Sequence, residues 1–198
     1  TACDQATIVR VSGHHTETSR NVESGDVSDD GSIVVFTSNR AYDAGDTNTA
    51  ADVFVNDRNQ ALIFRISSNS SGGAANGSSS DAKVSGNGRY VSFTSVANNL
   101  VPGDTNGSTD VFLFDLWNGS IQRISVTTAG AEGAGPSSDA AASTDGRYVV
   151  FESYSGLVPN DTDATTDIYL RDTVLGTTTL ASTYDNNTPL PGVHFEPE

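Results

Sequence analysis

The sequence predicts an all-β fold: three tandem four-stranded antiparallel units, β-propeller-type blades of about 57 residues that do not form a closed ring from one chain alone. Three observations carry this. First, "DGSIVVFTS", "NGRYVSFTS" and "DGRYVVFES" place Gly31, Gly88 and Gly146 at steps of 57 and 58 residues. Second, "GDTNTAADVFVND", "GDTNGSTDVFLFD" and "NDTDATTDIYLRD" recur in register with them. Third, "RIS", "RIS" and "LAS" end the copies at Ser67, Ser125 and Ser182. A fixed period means one supersecondary unit copied in tandem, each copy burying a face against its neighbours.

The period divides the chain into an orphan closing strand (1–12), blade 1 (13–67), blade 2 (68–125), blade 3 (126–182) and a Pro-containing tail (183–198). Blade 2 shows the elements in order. "SDAKVS" (Ser80 to Ser85) is a weak strand of small residues. "GRYVSFTS" alternates, with Val91 and Phe93 on one face and Tyr90, Ser92 and Thr94 on the other, the period of a strand. "DVFLFDL" (Asp110 to Leu116) is aromatic and β-branched, and "IQRIS" (Ile121 to Ser125) closes the unit. Gly, Asn, Asp and Ser fill the gaps, and Asn87-Gly88 and Asn118-Gly119 are hairpin signals. No stretch holds a helical period. Val91, Phe93, Val111 or Phe112, and Ile124 are the expected inter-blade core.

Four antiparallel strands per repeat describe a propeller blade. The pattern S-x-D-G-R-Y-V-x-F-x-S, then D-[VI]-[FY]-[VL]-x-D, then R-[VI]-S resembles the TolB-like propeller family over about residues 8 to 182. The resemblance implies the fold. It leaves function open, because such propellers serve as transport accessories, adhesins and non-catalytic peptidase domains.

Net charge is −15, with 19 Asp, 6 Glu and one Lys. This argues against nucleic acid, whose phosphates need a basic surface. No apolar run approaches the length of a membrane span. The chain has no Met and begins at Thr1, from which a processed, secreted, extracellular product is expected, its signal removed. Cys3, the single cysteine, has no intrachain partner.

The candidate sites are the repeated Asp/Asn loops. Asp104, Asn106 and Asp110 stand at relative positions 1, 3 and 7, and the Ser108 carbonyl falls at position 5. The equivalent sets are Asp46, Asn48, Asp52 and Asp161, Asp163, Asp167. Hard oxygens at alternate positions of a flexible loop suit structural Ca2+. The third set has an extra carboxylate and is expected to bind most tightly. The same residues also suit Asx-turns, in which Asp and Asn bond nearby backbone amides, and both readings stand at this point.

No catalytic motif accompanies the repeat, and the chain reads as non-enzymatic. There is no G-x-S-x-G elbow, P-loop or H-E-x-x-H. His14, His15 and His194 lie outside the repeated core, and Trp117 reads as a strand-end packing residue. Closed propellers have four to eight blades, so three blades leave strand edges to cover. The expected remedy is a homo-oligomer or filament joined head-to-tail through Thr7–Ser12 and the tail, a structural role. The alternative is a ligand- or protein-binding propeller module, a fragment of a larger secreted protein.

Overall fold

The computed structural model describes residues 22–163 and 165–182. Twelve strands form three four-stranded antiparallel sheets, each in sequence order. Blade 1 comprises β1 (Val22–Val27), β2 (Ile33–Ser38), β3 (Asp52–Asp57) and β4 (Leu62–Arg65). Blade 2 comprises β5 (Ser79–Val84), β6 (Tyr90–Ser95), β7 (Asp110–Asp115) and β8 (Ser120–Arg123). Blade 3 comprises β9 (Ser137–Ala142), β10 (Tyr148–Ser153), β11 (Asp167–Asp172) and β12 (Thr177–Leu180). The propeller-blade prediction is borne out, and the described blades form an open arc. Among the described residues no helix is long and apolar enough to cross a membrane. Thr7–Ser12, the tail, Cys3 and the three histidines lie outside the described residues.

The β1–β2, β5–β6 and β9–β10 hairpins show why the repeated S-x-[DN]-G is needed. Ser28, Ser85 and Ser143 donate from Oγ to Asp30, Asn87 and Asp145 at 2.7, 2.8 and 2.6 Å. The same hydroxyls accept the amides of Ile33, Tyr90 and Tyr148 across the turn. The glycine that follows adopts φ of 67°, 72° and 68°, a left-handed conformation that only Gly takes at little cost. At Gly146 space is scarce too: a Cβ would stand 2.6 Å from the Tyr90 ring of blade 2.

The first strands neighbour one another, β1 against β5 and β5 against β9. Each is interrupted by a register shift with one residue at positive φ: Ser24, Asp81 and Asp139, at 45°, 52° and 48°. A β-bulge of this kind tightens the twist of a strand. Blades are also tied by backbone bonds: Ser79 N to Ala51 O at 2.7 Å, and Ser137 N to Thr109 O at 2.8 Å.

The core lies between the blades. Val35, Val53, Val55 and Ile66 of blade 1 pack on Val91, Phe93 and Phe112 of blade 2. Val111, Leu113 and Ile124 of blade 2 pack on Val149, Phe151, Tyr169 and Leu180 of blade 3. The middle sheet, blade 2, thus buries both faces, which is why β7 reads as a nearly continuous apolar run. The core expected from the sequence is the core observed.

Candidate functional site

The last Asp of each loop set opens the third strand of its blade and is buried there. Asp52, Asp110 and Asp167 each accept a hydrogen bond from the serine that ends the closing line: Ser67 and Ser125 at 2.5 Å, Ser182 at 2.6 Å. Those serine oxygens accept in turn the amides of Val53, Val111 and Ile168 at 3.0–3.1 Å. The relay accounts for one oxygen of each carboxylate and for the invariance of Ser in the three copies. In blades 1 and 2 the other oxygen lies 3.6 and 3.5 Å from an arginine of the closing line.

What lies between the two carboxylates differs from blade to blade. In blade 2 the guanidinium of Arg123 sits there, with Nη1 at 3.3 Å from Asp104, 3.5 Å from Asp110 and 2.8 Å from Glu132. In blade 1 Arg65 Nη1 lies 3.9 Å from Asp46 and 3.6 Å from Asp52, and Nη2 lies 3.4 Å from Asp43. These side chains are nearly sealed from solvent, Arg65 at 3% and Arg123 at 9% exposure. Both arginines are the R of the "RIS" line. In blade 3 that line reads "LAS", and Leu180 stands where the cation would be.

The middle residue follows the same division. Asn48 donates to the Ala75 carbonyl at 2.7 Å, and Asn106 to the Gly133 carbonyl at 2.9 Å. These asparagines lace each loop to the loop leading into the next blade. Their acceptor oxygens take the amides two residues on, Ala50 and Ser108, as Asx-turns do. Blade 3 has Asp163 here, exposed, with Oδ1 accepting from the Thr165 amide and hydroxyl. Asp161, Asp163 and Asp167 alone among the described acidic groups come together as a three-carboxylate cluster, with ligand oxygens within 4.8 Å of one another.

Of the nine residues proposed as metal ligands, the structure therefore gathers one set of three. The sets Asp46, Asn48, Asp52 and Asp104, Asn106, Asp110 surround an arginine, because Arg65 and Arg123 project into the space between their carboxylates. The sequence reading missed these two arginines, Glu132 and Tyr169. The signal was present: the third copy alone writes Leu for Arg and Tyr for Phe. Tyr169 occupies the position of Phe54 and Phe112, and its hydroxyl is hydrogen-bonded to Asp161.

The electrostatics follow from burial. Asp52, Asp110 and Asp167 are held above the ordinary carboxylate range chiefly by desolvation. At Asp167 the charges of Asp161 and Asp163 push the same way. Asp104 is raised by desolvation and then by Asp110. Glu132 is drawn down to about 2 by its bonds to Thr105 and Arg123. Asp115 and Asp172 are lowered by Arg89 and Arg147.

A raised group loses stability as pH climbs from its unfolded value through its folded one, and a lowered group loses it as pH falls below the unfolded value. In chelator, stability should thus peak near about pH 4, where unfolded carboxylates titrate, and decline toward neutrality. Thermal melts from pH 3 to 8 check this; a midpoint that rises steadily to pH 7 contradicts it.

No protein-family model matches the sequence, and comparison with curated proteins finds no match. Among solved structures, a TolB-like protein from Agrobacterium tumefaciens superposes with a TM-score of 0.51 at 18% identity, over 84% of this chain and 50% of that one. The fold is that of a TolB-like β-propeller. An oligogalacturonate lyase in complex with manganese gives a TM-score of 0.49 at 14% identity, over 85% of this chain and 43% of that one. The tricorn protease gives 0.48 at 15% identity, over 77% and 14%. The chain spans about half the length of the Agrobacterium structure. Within this TolB-like arc, blade 3 is the copy whose loop departs from the repeat.

Proposed function

We propose that this chain is a non-enzymatic structural propeller module, stabilised by calcium, that associates head-to-tail with further copies of itself in an extracellular ring or filament. The carrying observation is the outward face of blade 3. In blades 1 and 2 the equivalent faces, Val35, Val55 and Ile66, and Ser92, Leu113 and Ile124, are buried under the next blade. In blade 3 Val150 and Leu170 are only half-buried and Ala181 is exposed. A blade face with this register fits the face of another blade, and a heterologous contact of that kind closes into a ring or grows into a fibre. The acidic, lysine-poor composition supports the extracellular setting.

A second reading, a ligand- or protein-binding TolB-like module within a longer chain, is favoured by the 50% coverage of the Agrobacterium structure. Light scattering and electron microscopy of the purified chain separate the two. Rings or fibres are expected, reduced to single arcs when residues 1–12 are deleted. A chain that is monomeric at micromolar concentration, or an assembly indifferent to the deletion, overturns self-association in favour of the module.

A further inference from the structure

We propose that the chain holds a single divalent cation of the calcium type, in blade 3 between Asp161, Asp163 and Asp167, and that Arg65 and Arg123 are its built-in replacements in blades 1 and 2. The inference rests on the calcium reading above and narrows it from three loops to one.

The repeat itself supplies the controls. All three blades keep a buried pair of aspartates at the same two positions. A pair of buried like charges needs a positive partner or a proton. Blades 1 and 2 meet the need from the chain itself, with the guanidinium of the closing strand within ion-pair distance of both carboxylates. Blade 3 keeps the pair, adds a third carboxylate at Asp163, and replaces the arginine with Leu180. Arg171, the buried cation of this blade, is turned to the Thr127 carbonyl and the Thr178 hydroxyl instead.

In blade 1 Asp46 and Asp52 also leave Oδ2 without a hydrogen bond, but Arg65 Nη1 lies within 3.9 Å of both carboxylates; in blade 3 two such oxygens have no paired cation among the described residues. Asp161 is 8% exposed and Asp167 1% exposed, yet Oδ1 of the first and Oδ2 of the second have no hydrogen-bond partner. Their sister oxygens are taken, by Tyr169 and by Ser182. Each carboxylate is therefore oriented by one bond and leaves its other oxygen buried and without a donor. Calcium binds carboxylate oxygens at about 2.3–2.6 Å, so ligands on opposite sides of it stand up to about 5 Å apart. The three ligand oxygens, all within 4.8 Å of one another, fit that span. Asp161 also lines a cavity of about 690 Å³ formed with Thr127, Thr128, Gly156, Leu157 and Thr178, which gives an ion and its remaining waters a way in. Magnesium, smaller and reluctant to shed water, fits a three-carboxylate loop less well.

Titration of the chelator-stripped full chain with calcium, followed calorimetrically, tests the assignment. One calcium per chain is expected, with magnesium binding at least about tenfold more weakly. Leu180→Arg should abolish binding and make the melting midpoint insensitive to chelator. Leu180 is part of the core, so Asp163→Asn, at an exposed position, provides a variant that keeps the fold; it should weaken binding about tenfold or more by removing one charge. Asp52→Asn and Asp110→Asn should leave the stoichiometry at one. Three calcium ions per chain, or binding that survives both blade 3 variants, overturns the single-site inference and leaves the calcium reading standing. No calcium binding at all removes both.

Discussion

Replacing Phe112 with Ala should cost about 3–5 kcal/mol of unfolding free energy, the scale for deleting a fully enclosed phenyl group. The ring has no exposed surface and stacks on Phe93 with centroids 5.7 Å apart. Blade 1 contributes Val53, Val55 and Ile66 to the same cluster. Little can collapse into the vacated space, because the sheets on both sides are pinned by backbone bonds, including Ser79 to Ala51 between the blades. In a tandem array the loss falls on a nearest-neighbour interface, so blade 1 should loosen from blade 2 while the blade 2–blade 3 contact persists. Trp117→Ala is the contrast. That side chain is 77% exposed, and its one evident contact is the Arg89 guanidinium at 4.1 Å from the ring centroid, worth about 0.5–1 kcal/mol. Urea denaturation of the two variants measures both. A Phe112→Ala loss no larger than that of Trp117→Ala would mean that the inter-blade core is not what holds the arc together.

The fold was legible because each level of the sequence repeats the same instruction. Alternation along β6 assigns Val91 and Phe93 to one neighbour and Tyr90 and Ser92 to the other, and the structure places them so: Ser92 reaches the Ala140 carbonyl of blade 3 at 3.1 Å. The S-x-[DN]-G turns were visible as glycines, though not as serine-centred networks. The site was half legible. The spacing of Asp104, Asn106 and Asp110 suits a metal loop and an Asx-turn equally, because both need oxygens at alternate positions. What separates the readings is a side chain about 20 residues away: Arg123 arrives from the closing strand only once β7 and β8 pair, Phe112 opposite Arg123. Local spacing carries no trace of that register. The comparison between copies does, since Arg65, Arg123 and Leu180 align, and one of the three breaks the rule.

Arg123→Leu should be as damaging as any core truncation, and for a different reason. The substitution leaves Asp104 and Asp110 with side chains 3% and 1% exposed, and without the guanidinium that neutralises them. Removing one partner of a buried ion pair costs about 3–5 kcal/mol, mostly the penalty of the charges left behind. The loss should shrink on acidification, because both carboxylates already titrate above their ordinary range and a proton relieves them. Arg123→Met, which keeps the aliphatic stem, should lose nearly as much, assigning the effect to charge and not to packing. Calcium should restore little to Arg123→Leu by itself, since Asn106 presents its amide, not an acid, to Asp110 at 3.0 Å. Adding Asn106→Asp reproduces two features of blade 3, leucine on the closing strand and three carboxylates in the loop, while Phe112 still stands where blade 3 has Tyr169. That double variant should bind one calcium more than the parent chain. At a free calcium concentration a hundredfold above the new dissociation constant it should regain about 2.7 kcal/mol. Melting curves with and without chelator read the rescue, and calorimetric stoichiometry reads the added ion. If Arg123→Leu melts with the parent protein in chelator, the arginine is not the counter-charge of this loop. If the double variant is destabilised but gains no ion, the carboxylates of blade 2 are held in a geometry that only a guanidinium fits.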